Sequence, residues 1–342
     1  MRELLIDLPQ DNHDAALNVS ILDQIAQEAG VSAMTVARVL KGDRAYARPS
    51  AERRALQIQK IAARLHYRPN QAAKAVRTGR FGVIALVIPA QTEGGFLPTE
   101  LLDGILAETE ARDVHLAIAR IPGAGARPPR LWRERAVDGL LLVGDLHGLP
   151  EVQALPSIAL GVQRTRDCVH PDEVAAGRQA TELLRHLGHR KIVFIGVANS
   201  PQVCQRQAGY HEALAGLVAA VVEPPFAEQA AERIQWARRL LSSPARPTAI
   251  VCGATGDAVP VLLAAAELGI AVPQALSVIA IDTVAMHAHL GFTPTRIVVP
   301  FQMVGRVGVA QLVEKIANPT IELQPASIAF EFRDGGTCAP PP

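Results

Sequence analysis

Apolar positions recur with two different periods along this chain of 342 residues. Between residues 20 and 65 they follow the three-to-four spacing of amphipathic helices. Ser20-Ile21-Leu22-Asp23 has the spacing of a capping box, so a helix begins there; Leu22, Ile25, Ala26 and Ala29 form its apolar stripe, and Gly30 ends it. Ser32 can cap a second helix over 34–40, with Val31, Val36, Val39 and Leu40 holding the pair together, and Pro49-Ser50 opens a third over 51–65 that bears Arg53, Arg54, Lys60 and Arg64. Two short helices joined at a glycine are the helix-turn-helix plan, whose second helix faces a major groove. A small helical bundle that never meets DNA has the same pattern, so the pattern alone leaves both readings open.

From residue 81 the period changes to short apolar runs of strand length alternating with helical stretches, the signature of a parallel α/β architecture. Strands are predicted at 83–88, 114–119, 139–143, 157–160, 191–195, 249–252 and 277–281. Helices are predicted at 98–112, 175–187, 205–219, 227–241 and 257–268. Two sets of such units imply two doubly wound subdomains with a ligand in the crevice at the strand C-termini.

Composition sharpens this division. With 49% hydrophobic and 20% charged residues, most of the chain is excluded from the disordered class, and its length predicts two or three folding units. The formal net charge of +1 conceals segregation: residues 1–17 carry −3, residues 18–80 carry +8 and residues 81–342 carry −4. A basic module precedes a mildly acidic body. The four cysteines form no CxxC pair, which speaks against a zinc site or a disulfide framework. His186/His189 and His287/His289 are the close histidine pairs, and neither has a matching Cys or acidic cluster, so no metal is expected. Walker loop, dinucleotide turn, nucleophile elbow and HExxH are all missing, so neither an enzyme nor a cofactor is expected. The acidic N-terminus has no signal-peptide core, and no run reaches the ~18 apolar residues of a membrane helix, so a cytoplasmic protein without a membrane partner is expected. Residues 1–17 read as a loose tail, and 339–342 as unable to continue helix or sheet.

The string from Ile25 to Leu40, IAQEAGVSAMTVARVL, resembles the headpiece of the lactose/galactose repressor family (LacI/GalR), and LHYRPNQAAKAVRTGR, from Leu65 to Arg80, resembles that family's hinge. The resemblance implies a DNA-binding headpiece at 18–66, a hinge at 67–80 and an effector-binding, dimerising core at 81–342. Ser32 and Thr35 lie at a helix N-terminus suited to a phosphate, while Ala33, Met34 and Arg38 stand at the family's base-reading positions. In the hinge, Tyr67, Asn70 and Ala73 are implied DNA contacts, and Val76 stands where the family has a leucine wedge for the minor groove. Valine is shorter and predicts a smaller kink. Ala37 and Lys41 also depart from the family's usual serine and asparagine.

The resemblance continues through Arg135–Leu142, Leu187–Gly196 and Glu267–Asp282, and it implies the periplasmic-binding-protein type I fold. Subdomain 1 is expected at about 81–161 and 292–325, subdomain 2 at about 162–291 and 326–340, with a final strand at 327–332 in the second. The implied effector residues are Arg206 as a clamp, Asp282 as its acidic counterpart, Phe226 as a stacking surface and Phe96 in a loop of the first subdomain. An alternative for Arg206 and Asp282 is a structural ion pair. Ala254-Thr255, Gly161 and Thr283 replace polar groups common in the family, which tilts the expected ligand from a polyhydroxylated sugar toward a sugar acid or another small acid. The whole implies a repressor of a catabolic operon, a homodimer on a pseudo-palindromic operator, released by a small-molecule inducer. With no heptad-bearing tail, a dimer is expected rather than a tetramer. A soluble small-molecule binding protein is the alternative, and it has no use for residues 18–80.

Overall fold

The computed structural model describes residues 20–40, 49–68, 75, 79–89, 97–121, 129–134, 136–144, 154–162, 164–197, 200–214, 216–225, 230–282 and 294–342. Of the sequence-derived site residues, Asn70, Ala73, Val76, Phe96 and Phe226 lie outside them, as does the 1–17 segment. By internal contacts the chain divides into a unit of residues 1–74 and one of residues 75–342.

Among its described residues the first unit holds three helices: α1 (Ile21–Ala29), α2 (Ala33–Leu40) and α3 (Pro49–Arg64). The Ser20 hydroxyl accepts from the Asp23 N–H at 3.2 Å and donates to the Asp23 carboxylate at 2.7 Å, which starts α1 where the capping pattern places it. Gly30 ends α1 at φ 64°, and the Val31 N–H returns to the Ala26 carbonyl at 3.0 Å, closing the left-handed turn that swings the chain into α2. Ile25, Ala26, Val36, Val39, Ala55, Ile58 and Ala62 form one apolar core. The stripe on each helix is what makes the turn a rigid unit.

The second unit holds two six-stranded sheets with helices on both faces. The strands of the first are β1 (Val83–Pro89), β2 (His115–Ile121), β3 (Gly139–Val143), β4 (Ser157–Leu160), β5 (Cys168–Pro171) and β11 (Ala326–Ile328), in the order β11-β5-β4-β3-β1-β2. The second contains β6 (Ile192–Ile195), β7 (Ala220–Val222), β8 (Ala249–Cys252), β9 (Ser277–Asp282), β10 (Thr295–Val298) and β12 (Glu331–Arg333), in the order β12-β10-β9-β8-β6-β7. Every pairing is parallel except β10 with β12. Strands such as Ser157–Leu160, Ile192–Ile195 and Ala249–Cys252 are buried at every position, which is why they read as continuous apolar runs.

The helices are α4 (Thr99–Ala111), the single turn α5 (Arg130–Arg133), α6 (Glu173–His186), α7 (Pro201–Ala213), α8 (Ala230–Ser242), α9 (Thr255–Glu267) and α10 (Phe301–Ala317). Helices α4 and α10 pack together in the first subdomain, and α6 and α7 in the second. The second contact is drawn tight by glycine: a Cβ at Gly177 would stand 1.8 Å from the Arg206 carbonyl oxygen, and one at Gly209 would stand 1.9 Å from that of Val174. No side chain fits between these backbones.

The expected subdomain boundaries need correction. Strand β5 pairs with β4 in the first sheet, so the first crossing falls after Pro171 and not near 161. Strand β10 pairs with β9 in the second sheet, so the return to the first begins near Pro300, with α10, and not at 292. The single strand expected at 327–332 is two: Ala326–Ile328 joins the first sheet and Glu331–Arg333 the second. The chain therefore passes between the sheets three times, after 171, after 298 and after 328. The Asp172 N–H donates to the Ile328 carbonyl at 3.1 Å, tying the first crossing to the third.

Candidate nucleic-acid interface and effector site

The outward end of α2 carries the residues singled out from the sequence. Ser32 accepts from the Thr35 N–H at 3.2 Å, and the two hydroxyls lie 3.0 Å apart, so a pair of hydroxyls and the free N–H groups of a helix start point outward. Met34 is 79% exposed, so its side chain is turned away from the headpiece core. Arg38 is exposed one turn on, and Ala33 and Thr35 are half-buried beside them. Val36 and Val39, on the opposite face, hold the helix against α1 and α3. Tyr67 packs its half-buried ring against the same core, so at least part of it serves the headpiece's own packing.

In the second subdomain Arg206 projects from α7 and is 1% exposed. Its Nε donates to Glu173 Oε2 at 2.6 Å and its Nη1 to the Gly253 carbonyl at 2.6 Å. Glu173, itself 5% exposed, is the first residue of α6, directly after the cap Asp172, whose carboxylate accepts from the Ala175 N–H at 2.9 Å. A carboxylate there also meets the positive end of the helix dipole. Gly253 follows the last residue of β8, and its N–H donates to the Ile195 carbonyl at 2.7 Å, so the guanidinium lies at the C-terminal edge of the second sheet. Asp282 ends the neighbouring strand β9 at that same edge; its side chain lies outside what is described. Among the described residues the ion-pair partner of Arg206 is Glu173, which is not one of the residues the sequence points to. The available signal was an acidic pair, Asp172-Glu173, standing between a short apolar run and a helix start.

A second pair lies close by. Arg233 of α8 donates to Asp257 of α9 at 2.5 Å. Burial pushes the Asp257 carboxyl up, against the opposing pull of Arg233 and, more weakly, of Arg206. Pro260 inside α9 deprives the Gly256 carbonyl of its helical donor, and Arg233 Nη1 approaches that oxygen at 3.5 Å. Arg206 and Arg233, the two described cations here, are thus each paired with a carboxylate of the chain. Among the described residues no group of three His, Cys, Asp or Glu side chains could hold a metal ion, and no helix is long and apolar enough to cross a membrane.

Against known proteins, residues 21–70 match the family described as bacterial regulatory proteins, lacI family, and residues 181–338 match the periplasmic binding protein-like domain. The HTH-type transcriptional regulator AglR of Rhizobium meliloti is 30% identical over 287 residues, covering 77% of this chain and 78% of its own length. The chain belongs to the lacI family of bacterial regulatory proteins. This lacI-family chain is accordingly a DNA-binding transcriptional regulator with a helix-turn-helix headpiece and a binding-protein-like core. The ribose operon repressor of Haemophilus influenzae is 27% identical to it over 334 residues, 92% of this chain and 98% of that protein. Among solved structures, the lac repressor dimer bound to operator and an anti-inducer matches 94% of this chain and 99% of its own with a TM-score of 0.69 at 20% identity. A LacI-family regulator from Enterococcus faecium with bound ribose matches 75% of this chain and 99% of its own with a TM-score of 0.62 at 22% identity. At such identities the two structures establish the regulator's fold.

Proposed function

We propose that this lacI-family regulator is a cytoplasmic homodimeric repressor that reads a pseudo-palindromic operator through the outward face of α2 and lets go when a sugar-class ligand binds between its core subdomains. The observation that carries the DNA half is the exposure of Ser32, Met34 and Arg38 on a helix start whose other face is locked into the headpiece core. Arg38 can bond guanine O6 and N7 together, and Met34 offers apolar contact to a base edge. The hinge residues Asn70, Ala73 and Val76 extend the contact into the minor groove.

The effector half rests on the two-sheet core. Three chain crossings join the sheets, with polar side chains of the second subdomain at its strand C-termini. Crevices of this kind take small polar ligands. Arg206, Asp282, Phe226 and Phe96 are assigned to that site. Ribose operon repressors among the relatives and regulators holding ribose or cellobiose among the structural neighbours support a sugar. A sugar acid is less favoured than the sequence alone suggests, because Arg206, the cation that would receive its carboxylate, is already engaged by a carboxylate of the chain itself. No catalytic step is assigned.

Ligand and DNA must be linked reciprocally: a ligand that weakens operator binding by a given factor is weakened by operator by the same factor. Fluorescence anisotropy of a labelled operator duplex with the full chain, repeated with D-ribose and cellobiose, tests the reading. Release by one sugar at a concentration that leaves an Arg206→Lys variant bound is the expected result. Operator binding indifferent to every aldose and disaccharide overturns the effector half.

A further inference from the structure

We propose that Glu173 is a specificity-determining residue of the effector site: it serves Arg206 as a built-in carboxylate and thereby bars anionic ligands from the crevice. The proposal rests on the effector-site reading above. Its geometry is specific. Glu173 and Arg206 meet at 2.6 Å with side chains 5% and 2% exposed, and the guanidinium's second bond goes to the Gly253 carbonyl, an acceptor that adds no charge. The neighbouring cation, Arg233, is matched by Asp257 in the same way. A ligand carboxylate entering beside these pairs would lose its hydration and find both described cations already engaged by carboxylates. A hydroxyl loses far less and can still share the edges of the pair.

The position of Glu173 in the chain strengthens the case. It follows the first crossing between the sheets by two residues, and its neighbour Asp172 is hydrogen-bonded to Ile328 at the third. The pair therefore stands beside the chain crossings that join the two sheets. The contact of α6 with α7 at Gly177 and Gly209 fixes the distance between Glu173 and Arg206, so no other carboxylate is needed to hold the arginine in place.

Removal of the side chain should create a vacancy of the size of acetate beside an unpaired guanidinium. Thermal unfolding of the full-length protein with sodium acetate, set against sodium chloride at equal ionic strength, reads this directly. For Glu173→Ala we expect a lowered Tm that acetate raises saturably, by about 2–4 °C at roughly ten times its Kd. The wild type and a Glu173→Ala/Arg206→Met double variant should show no such rise. Glu173→Gln, which keeps the shape, provides the second arm if the alanine variant does not fold: titrated with D-ribose and D-ribonate, it should bind ribonate at least about tenfold more tightly than the wild type does. Acetate that fails to distinguish the alanine variant from the wild type, or ribonate affinity unchanged in the glutamine variant, overturns the proposal, as does a wild type that binds ribonate as tightly as ribose. Acetate rescue in a protein whose operator binding answers to no sugar upholds the built-in carboxylate and removes the sugar-effector reading instead.

Discussion

A buried guanidinium is costly to leave alone, and that fixes what single substitutions should do. Truncating one partner of a fully buried ion pair costs about 3–5 kcal/mol, whereas replacing both partners by apolar groups of similar volume is close to neutral. Glu173→Ala should therefore destabilise the core by about that amount in urea titration, and Glu173→Leu/Arg206→Met should recover most of it. On the headpiece, Arg38 is exposed and takes part in no core contact, so Arg38→Ala should leave Tm unchanged. It should weaken operator binding by about 1–3 kcal/mol and relax base preference at one position of each half-site in competition binding. At this scale the sequence was most informative where function follows from local pattern. Met34 and Arg38 face outward because Val36 and Val39 must face inward, and a helix has only two such faces. The partner of Arg206 was hidden, because Glu173 lies 33 positions away and meets it only through the crossing of two helices.

That crossing is an element-scale device. Helices α6 and α7 touch backbone to backbone, and a methyl at Gly209 would overlap the Val174 carbonyl. Gly209→Ala should therefore destabilise the protein by about 1–3 kcal/mol through overpacking and, by moving Arg206 away from Glu173, alter the ligand response more than its stability loss alone explains. Legibility of the elements followed burial and length. Strands buried on both faces stand out as apolar runs, and most of the long helices as periodic stretches; α10 (Phe301–Ala317), with Gly305 and Gly308 on its buried face, does not. Strands β5, β7 and β10 do not either, since three or four residues such as Cys168-Val169-His170-Pro171 or Thr295-Arg296-Ile297-Val298 are too short and too mixed to show a period. They are strands because of their neighbours in the sheet. The chain crosses between the sheets after two of them, β5 and β10, which is why the subdomain boundaries differ from those expected. Helix α7 begins at Pro201, four residues before the expected start at 205, because Ser200-Pro201 is itself a helix-start signal.

For the whole molecule, two properties cross element boundaries. The C-terminal segment is fastened to the second sheet: Thr337 bonds Val278 through its carbonyl and its hydroxyl, and the Ala339 carbonyl accepts from His189 Nε2 at 2.9 Å. Thr248 lies 3.0 Å from His189 Nδ1. Burial pushes the His189 imidazole below its usual range, against the pull of the Ala339 carbonyl. The unfolded chain then takes up the proton more readily, so this contribution to stability is complete above the unfolded pKa of about 6.5 and is lost as pH falls below it. The Tm difference between wild type and His189→Gln should accordingly shrink from pH 7.5 to pH 5.5. Charge is the second property. Since +8 lies in residues 18–80 and −4 in residues 81–342, removing one phosphate-contacting Lys or Arg from the first segment should reduce the salt slope of operator binding by about 1, and charge changes in the second should leave it unchanged. Above all, a regulator of this kind must recognise DNA sequence through its headpiece. Rounds of selection from a random duplex library, using the full chain beside one lacking residues 1–80, test it most directly. A two-fold symmetric motif recovered by the full chain alone is the expected result; a library that remains unenriched at low salt, or a motif recovered equally well without the headpiece, would contradict DNA recognition by the headpiece.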